Sequence, residues 1–439
     1  MAVNETTVNQ TLEEITKRFA SGFPKEVPAL RTVGREAEFP LVNPDGSAAD
    51  VLALWPALLE RADCRPVYDR AVDGSEFLVG VEADTWSCVA EVGKGTLEIS
   101  VGPRATLHEL ARDMEDGLAR LKEIVRTSGV RLLGFGIQPK TPASVGLLTP
   151  KRRYHALLET IGAGWLKFCV TAADQVQIDM GKDEIVRLAN LINAASGVII
   201  AVTANSSVYG GRAGRFASGR EGLTANMVGE PDRHGSSPRP FADLEEYIRF
   251  LAGLKCLCLP DGNGGYGVVG LPFTEYLRQR PLDKDIQETY EEFLFHEHYI
   301  WPSARPRSRI GTLEVRPSCQ QPAGSGWVPS ALALGLVESA VEAQSFLEDA
   351  LGTDYWSGLR WYRKEAVEQG LGASEPIPDF LETVLDIARQ GLQRRGRDEE
   401  VFLAPAFEML ERRVGHSARA RKSVEEGGIN ALVEEVSLT

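Results

Sequence analysis

The segment GREAEFP, residues 34–40, decides how this chain is interpreted, because it sets two carboxylates two positions apart in a strand that enters a turn at Pro40. Side chains alternate between the two faces of a strand, so Glu36 and Glu38 leave the same face. Two like charges on one face have two explanations. Either the face is open to water, which screens the repulsion, or a cation lies between the carboxylates.

Composition narrows the class of protein. The chain has 439 residues, 43% hydrophobic and 25% charged, which is typical of a globular protein with one large domain or two smaller ones. A net charge of −14 disfavours a general nucleic-acid binder, and six cysteines in so long a chain do not resemble a disulfide framework. The N-terminal segment lacks a signal's apolar core, and the longest apolar run, LINAASGVIIAV, is shorter than a membrane span. We expect a cytoplasmic protein without nucleic-acid or membrane partners.

The pattern of strands and helices predicts an α+β fold. Strand-like segments are residues 32–40, 77–82, 87–92, 95–101, 131–138, 168–179 and 309–316. Several connections between them are too short for a parallel crossover, so the sheet should be antiparallel. A capping box from Thr106 to Glu109 starts a predicted surface helix, residues 184–202 predict a buried helix, and the chain after about residue 327 predicts helices. The long irregular stretch, residues 203–240, is of the kind that is usually functional or mobile.

The opening pattern recurs in other predicted strands, with acids or amides on one face and apolar residues on the other. The polar residues of these segments are Glu91, Glu98, Gln177, Asp179, Glu314 and Arg316. A single strand of this kind is best explained as one with a solvent-exposed face. Repeated oxygen donors with few Lys, Thr or Ser favour Mg²⁺ instead.

Arginines are frequent in the irregular stretch. They are Arg212, Arg215, Arg220, Arg233 and Arg239. Most would serve solubility, but guanidinium groups also bind phosphate and carboxylate oxygens through two parallel hydrogen bonds. Carboxylates for Mg²⁺ together with arginines for oxyanions are the groups that phosphoryl transfer requires.

Two shorter motifs do not indicate a site of their own. GNGGYG, residues 262–267, fits the dinucleotide pattern but no helix follows it, so we predict a loop. HEH, residues 296–298, lacks the four-residue histidine spacing of a zinc protease, so these histidines should line or support a site near Trp301.

Five segments together carry a family resemblance. They are VGREAEF, EVGKGTLEISVGPRATLHEL, CVTAADQVQIDM, TANSSVYGG and HEHYIWPSARPRSRIGTLEVRPSCQQP. In order and approximate spacing, from about residue 30 to 325, they resemble the glutamate–cysteine ligases of the plant and actinobacterial type. The resemblance implies a glutamine-synthetase-like antiparallel sheet forming a funnel flanked by helices, and ATP-dependent amide formation with Mg²⁺. We expect a single catalytic domain over residues 1–439, with a sheet-rich core at 28–325 and a helical region at 326–439 packed on it.

The resemblance also implies roles for single residues. The implied Mg²⁺ ligands are Glu36, Glu38, Glu91, Glu98 and Glu314. Gln177, Asp179 and Arg316 are implied in cofactor binding. Arg316 would also grip the transferring phosphoryl group, although an ion pair with Glu314 is an alternative. Arg220 would bind the remote carboxylate of the acid donor.

The substrates are less well defined than the reaction type. The implied pair is L-glutamate, through its γ-carboxyl group, and L-cysteine. However, the segment GRFASGREGLTANMVGEPDRHGSS departs from the family pattern in the region that shapes the amino-acid pockets. A ligase for another acid and amine, a guanidino kinase and a catalytically silent binding protein therefore remain alternatives. The expected partners are amino acids and ATP, and a homodimer is possible.

Overall fold

The computed structural model describes residues 5–61, 63–280 and 285–439, which form an α+β fold around an antiparallel sheet. The strands are β1 (Val33–Val42), β2 (Arg65–Arg70), β3 (Glu76–Glu82), β4 (Trp86–Ala90), β5 (Thr96–Arg104), β6 (Arg131–Leu132), β7 (Ala173–Asp179), β8 (Val208–Tyr209), β9 (Arg212–Ala213), β10 (His234–Gly235), β11 (Lys255–Pro260), β12 (Tyr266–Pro272), β13 (Trp301–Pro302), β14 (Ala304–Arg307) and β15 (Thr312–Cys319). The helices are α1 (Glu5–Ser21), α2 (Trp55–Arg61), α3 (Leu107–Thr127), α4 (Arg152–Ile161), α5 (Ile185–Thr203), α6 (Gly219–Thr224), α7 (Leu244–Gly253), α8 (Phe273–Gln279), α9 (Ile286–His298), α10 (Val328–Glu338), α11 (Ala340–Leu351), α12 (Tyr355–Gln369), α13 (Phe380–Arg395), α14 (Ala404–Arg412) and α15 (His416–Val436). The predicted fold class is confirmed.

The order of strands in the main sheet is β14-β15-β7-β1-β5-β4-β3-β2, and β6 pairs with the end of β1. The opening segment therefore lies in a central strand, antiparallel to β5 on one side and to β7 on the other. In this register Glu38 lies opposite Glu98, Glu36 opposite Gln175, and Glu314 opposite Gln177. Polar residues from four neighbouring strands are thus brought together on one face.

The other face of the sheet carries the core. Ala37, Ile99, Val176 and Leu313 are buried there. Helices α3, α5 and α10 pack against the strands and belong to the same hydrophobic cluster. The predicted capping box is present at the start of α3, where Thr106 and Glu109 bond to each other's backbone. Burial of one face leaves the acidic face available for a site.

The predicted buried helix is confirmed as α5. The prediction that the apolar run of this helix is too short to span a membrane is wrong. Among the described residues, one 22-residue helical stretch, Lys182–Thr203, is long and apolar enough to cross a membrane. Of its apolar window, 83% is buried inside the protein. Core helices of soluble proteins have the same composition, so this helix is weak evidence for a membrane span.

Several predicted boundaries differ from the structure. Strand β1 continues through Pro40 to Val42 instead of turning, because the carbonyl of Pro40 accepts a bond from Leu133 N at 2.9 Å. Within residues 131–138, only 131–132 form a strand, since Gly134 N and Gly136 N bond to Val436 O and Asn205 O instead. Residues 162–170 form a 3₁₀ helix ahead of β7. The exposed strand β2 was missed because its residues lack an apolar face.

Two further predictions agree with the structure. The GNGGYG motif includes the loop of the β11–β12 hairpin, and the helices of the C-terminal region begin with α10 at Val328. Short elements, among them β8, β9, α6 and β10, occur within residues 203–240. The six cysteines of the chain are all free thiols, five of them buried.

His296 is buried against Phe273 and should make stability depend on pH. Its Nε2 lies 2.8 Å from Leu251 O, and burial lowers its pKa from 6.5 to about 3. The unfolded chain takes up this proton below about pH 6.5, whereas the folded chain does so only near pH 3. His296 therefore makes the free energy of unfolding fall as the pH decreases from 6.5 to about 3. In urea unfolding across this range, His296→Gln should flatten the decline relative to wild type and to the exposed control His108→Gln. Identical slopes in all three proteins would contradict this.

Candidate active site

A cavity of about 300 Å³ opens over the polar face of the sheet. Of the nine residues predicted to form a site, eight line it. They are Glu36, Glu38, Glu91, Glu98, Gln177, Arg220, Glu314 and Arg316. These residues come from β1, β5, β7, β15, α6 and the turn after β4, so the antiparallel register assembles the cavity from segments far apart in sequence.

Three carboxylates form a tight acidic cluster at one side of the cavity. One oxygen from each of Glu38, Glu91 and Glu98 lies within 4.8 Å of the other two. Burial, together with the charge of Glu91, raises the pKa of Glu38 to about 8. Burial and the neighbouring glutamates Glu36, Glu91 and Glu38 also raise the pKa of Glu98. Carboxylate oxygens are the donors that Mg²⁺ prefers, and a cation at this point would relieve the repulsion, so the cluster fits a divalent metal.

Gln177 connects two further acids. Its Nε2 donates to Glu36 Oε1 at 3.3 Å and to Glu314 Oε2 at 3.2 Å. Burial, together with the negative charge of Glu314, raises the pKa of Glu36 even though Arg316 acts in the opposite direction. A neighbouring cation would therefore stabilise the ionised form of Glu36, as it would for the carboxylates of the acidic cluster.

Glu314 differs from the other acids because arginines already surround it. Arg305 Nε lies 2.9 Å from its Oε1, Arg307 Nε lies 3.4 Å from its Oε2, and Arg316 also bonds to Oε1. Burial favours a raised pKa for Glu314, but these three guanidinium groups outweigh it and hold the pKa well below its usual range. Glu314 is an ion-pair residue in this structure, and its role as a metal ligand stays a prediction.

Of the two explanations offered for Arg316, the structure shows the ion pair, and the phosphoryl-binding role stays a prediction. Its Nη1 donates to Glu314 and to Gln175, and the side chain also lines the cavity. The ion pair is therefore present, and it holds the guanidinium at the wall of the cavity.

Asp179 requires a correction. Its Oδ2 accepts hydrogen bonds from both the backbone N and the Oγ1 of Thr32, each at 2.8 Å. It shares the strand face of Gln177, but it is the last residue of β7 and is not among the residues that line the cavity. Its carboxylate secures the start of β1, so we withdraw the prediction that it binds the cofactor.

Of the five arginines in the irregular stretch, Arg220 lines the cavity. It lies in the short helix α6, where its Nη1 is 2.5 Å from Glu221 Oε1. Arg233 is buried elsewhere and donates to Tyr299 O, whereas Arg215 and Arg239 form exposed ion pairs and Arg212 is exposed. The structure therefore brings Arg220 to the candidate site.

Sequence reasoning missed two groups of cavity residues. The first is cationic and consists of Lys151, Arg153, Arg305 and Arg307. The second is an aromatic wall, which consists of Tyr154, Trp165, Phe168, Tyr299 and Trp301, although Trp301 is predicted from the sequence to lie near a site. Arg305 and Arg307 could have been found, because they alternate in a strand that forms a hairpin with β15 and sets Arg305 opposite Glu314. The aromatic residues come largely from irregular segments and a 3₁₀ helix, which leave no periodic signal.

His298 also lines the cavity, as the HEH motif predicted. Burial and the charges of Arg305 and Arg307 lower its pKa well below 6.5. It is therefore neutral at physiological pH, and its Nδ1 lies 3.4 Å from Arg307 Nη2.

The antiparallel sheet carries clustered carboxylates and arginines on its polar face, which is the arrangement expected of an ATP-dependent amide-forming ligase. The particular family follows from comparison with known proteins. The chain belongs to glutamate-cysteine ligase family 2 (GCS2), which matches residues 32–435. The match extends past residue 325, so it includes most of the C-terminal helices.

Relatives from plants and bacteria match much of the chain. A chloroplastic glutamate–cysteine ligase from Medicago truncatula is 25% identical over 371 residues, which cover 81% of this chain and 70% of the relative. A putative glutamate–cysteine ligase from Rubrobacter xylanophilus is 27% identical over 324 residues, which cover 74% of this chain and 73% of the relative.

Two solved structures share the fold. Glutamate–cysteine ligase from Francisella tularensis, in complex with AMP, has a TM-score of 0.54 at 10% identity over 94% of this chain and 88% of that one. A bifunctional glutathione synthetase from Pasteurella multocida has a TM-score of 0.50 at 12% identity over 99% of this chain. That protein is longer, and this chain spans about half (53%) of it.

Proposed function

We propose that the protein joins the γ-carboxyl group of L-glutamate to the amino group of L-cysteine at the expense of ATP, and so forms γ-glutamylcysteine. The observation that carries this proposal is the cavity in which the acidic cluster faces Arg220 and Arg316, in a chain of the glutamate-cysteine ligase family. The AMP bound to the Francisella ligase supports a nucleotide site in this fold.

The chemistry explains why such a cavity needs both acids and arginines. A carboxylate is a poor acyl donor because oxide would have to leave. In the proposed route, an oxygen of the γ-carboxylate attacks the γ-phosphorus of ATP, ADP leaves, and an acyl phosphate forms. The amine then attacks the acyl carbon and loses a proton, and phosphate departs with the former carboxylate oxygen. The first step brings two anions together, and the second develops negative charge on the departing phosphate, so the protein must neutralise negative charge.

Each group in the cavity has a proposed role. Glu38, Glu91 and Glu98 would hold Mg²⁺, and Glu36 and Glu314 are further candidate ligands. Bound Mg²⁺ would neutralise phosphate oxygens and orient the nucleotide. Arg316 grips the transferring phosphoryl group, Gln177 orients Glu36 and Glu314, and Arg220 binds the α-carboxylate of the donor.

The aromatic wall is the part of the cavity proposed to receive the acceptor. It offers apolar surface, which suits a thiol because a thiol forms only weak hydrogen bonds, but apolar surface discriminates weakly between small side chains. A ligase for another acid and amine is therefore the principal alternative, whereas family membership weighs against the guanidino kinase and the silent binding protein. The free thiols support a reducing location such as the cytoplasm.

A phosphate-release screen tests the substrates. The protein is supplied with ATP and Mg²⁺, each common amino acid as donor and a panel of amines as acceptors, and products are identified by mass. Glutamate with cysteine should give phosphate and γ-glutamylcysteine together, and neither amino acid alone should do so. If another pair turns over while glutamate and cysteine release no more phosphate than ATP alone, the proposed substrates are wrong and only the ligase class remains.

A further inference from the structure

A buried chain of charges lies behind Arg220. Glu221 is 4% exposed, and its two carboxylate oxygens bond to two different arginines. Oε1 lies 2.5 Å from Arg220 Nη1, and Oε2 accepts a hydrogen bond from Arg363 Nη2. Arg363 belongs to α12, so the C-terminal helical region contacts Glu221, the residue that pairs with Arg220 of the candidate site.

The geometry of this chain is fixed from several sides. Arg363 Nε lies 3.3 Å from Ser303 Oγ. The guanidinium packs over Gly235, which has a φ of +82° and where an added Cβ would lie 2.8 Å from Arg363 Cζ. At the other end, Arg220 N donates to Ser206 Oγ at 3.0 Å. Any side chain at position 235 would displace the guanidinium, so this close approach favours glycine.

The balance of charge indicates what Arg363 does. Glu221 alone would neutralise Arg220, because a buried carboxylate at hydrogen-bond distance is a strong competitor for a guanidinium. With Arg363 bound to the second oxygen, the three side chains carry one net positive charge. Burial lowers the pKa of the adjacent His234 to about 4, so this histidine adds no charge at neutral pH. Of the three side chains, Arg220 is the one that lines the cavity.

We propose that Arg363 is a positioning residue that takes up the charge of Glu221, so that Arg220 keeps a positive charge available to the carboxylate of the acid donor. This inference rests on the proposed function, in which Arg220 binds that carboxylate. Arg363 itself is not among the residues that line the cavity, so it acts through Glu221 and Arg220. We therefore expect that loss of Arg363 weakens binding of the acid donor more than binding of ATP.

A charge-removal cycle tests the proposal. Arg363→Gln should raise the KM for glutamate about tenfold or more, and should change the KM for ATP and kcat by less than about threefold. The double variant Glu221→Gln/Arg363→Gln removes both charges, restores the net charge of the group, and should recover most of the loss. The matched control is Arg360→Gln on the same helix, because Arg360 is 42% exposed and its Nη2 lies 3.7 Å from Asp232 Oδ1. This control should behave as wild type.

Several outcomes would overturn the proposal. A purely structural role predicts that the double variant is no better than Arg363→Gln, and that kcat and both KM values change together. If Arg363→Gln fails to fold, Arg363→Lys, which keeps the charge, should retain the KM for glutamate within about threefold, and a tenfold rise there would contradict the inference. Failure of the proposed role of Arg220 is distinguishable, because Arg220→Gln, which removes the charge, would then leave the KM for glutamate unchanged.

Discussion

Replacing Glu98 by glutamine is expected to lower kcat by two to four orders of magnitude. The acidic cluster loses one of three carboxylates at the point where charge develops, which costs roughly 3–5 kcal/mol of transition-state stabilisation. Among the three acids of the cluster, Glu98 is the best one to substitute, because the fewest backbone contacts depend on it. Its Oε1 accepts a hydrogen bond from Ser100 Oγ, which can rotate, whereas Glu38 also accepts a bond from the backbone of Ala173. The measurement is steady-state phosphate release at saturating substrates and Mg²⁺.

Stability separates loss of a metal ligand from loss of the fold. Glu98→Gln should be at least as stable as wild type without Mg²⁺, because it removes one of several mutually repelling carboxylates. Added Mg²⁺ should raise the melting temperature of wild type more than that of the variant. Glu82→Gln, on exposed strand residue Glu82 of the same sheet, is the matched control. A folded Glu98→Gln protein with activity within a few-fold of wild type would show that this acid is not a metal ligand.

The second large effect is expected at Arg316. Arg316→Lys keeps the charge but cannot make two parallel hydrogen bonds to a phosphoryl group, so kcat should fall about a hundredfold. Nucleotide affinity, measured by calorimetry, should change much less, because the interaction is needed most in the transition state. Arg309→Lys, in the exposed pair with Glu291, is the control and should behave as wild type.

The competing explanation for Arg316 makes a different prediction. If Arg316 serves only its ion pair with Glu314, the lysine variant should keep the wild-type kcat and lose stability instead. That result would remove Arg316 from the proposed mechanism while leaving the acidic cluster unaffected.

Much of the fold could be predicted because it follows from local rules. The alternation in residues 34–40 sets Glu36 and Glu38 on one face, and the same rule applied to β5, β7 and β15 anticipated which polar residues would meet. The capping box at Thr106 defined the start of α3 for a similarly local reason. These signals lie within a few residues of each other, so no tertiary information is needed to interpret them.

The errors arose where distant segments decide the structure. Asp179 fits the alternation, but a contact with Thr32, 147 positions away, fixes it outside the cavity. The backbone bonds that end the strand after Leu132 come from Asn205 and Val436. Arg363 pairs with Glu221 across 142 positions, and no local pattern marks either residue. Contacts of this kind cannot be inferred from one sequence, which is why the sheet's polar face was easier to predict than the residues above and behind it.

The most direct test of the central claim follows one oxygen atom. L-glutamate labelled with ¹⁸O in its γ-carboxyl group is turned over with ATP, Mg²⁺ and L-cysteine, and the released phosphate is analysed by mass spectrometry. Ligation through an acyl phosphate predicts one ¹⁸O atom in each phosphate formed from fully labelled glutamate. Phosphate without the label, released while the amide is formed, would contradict the proposed mechanism.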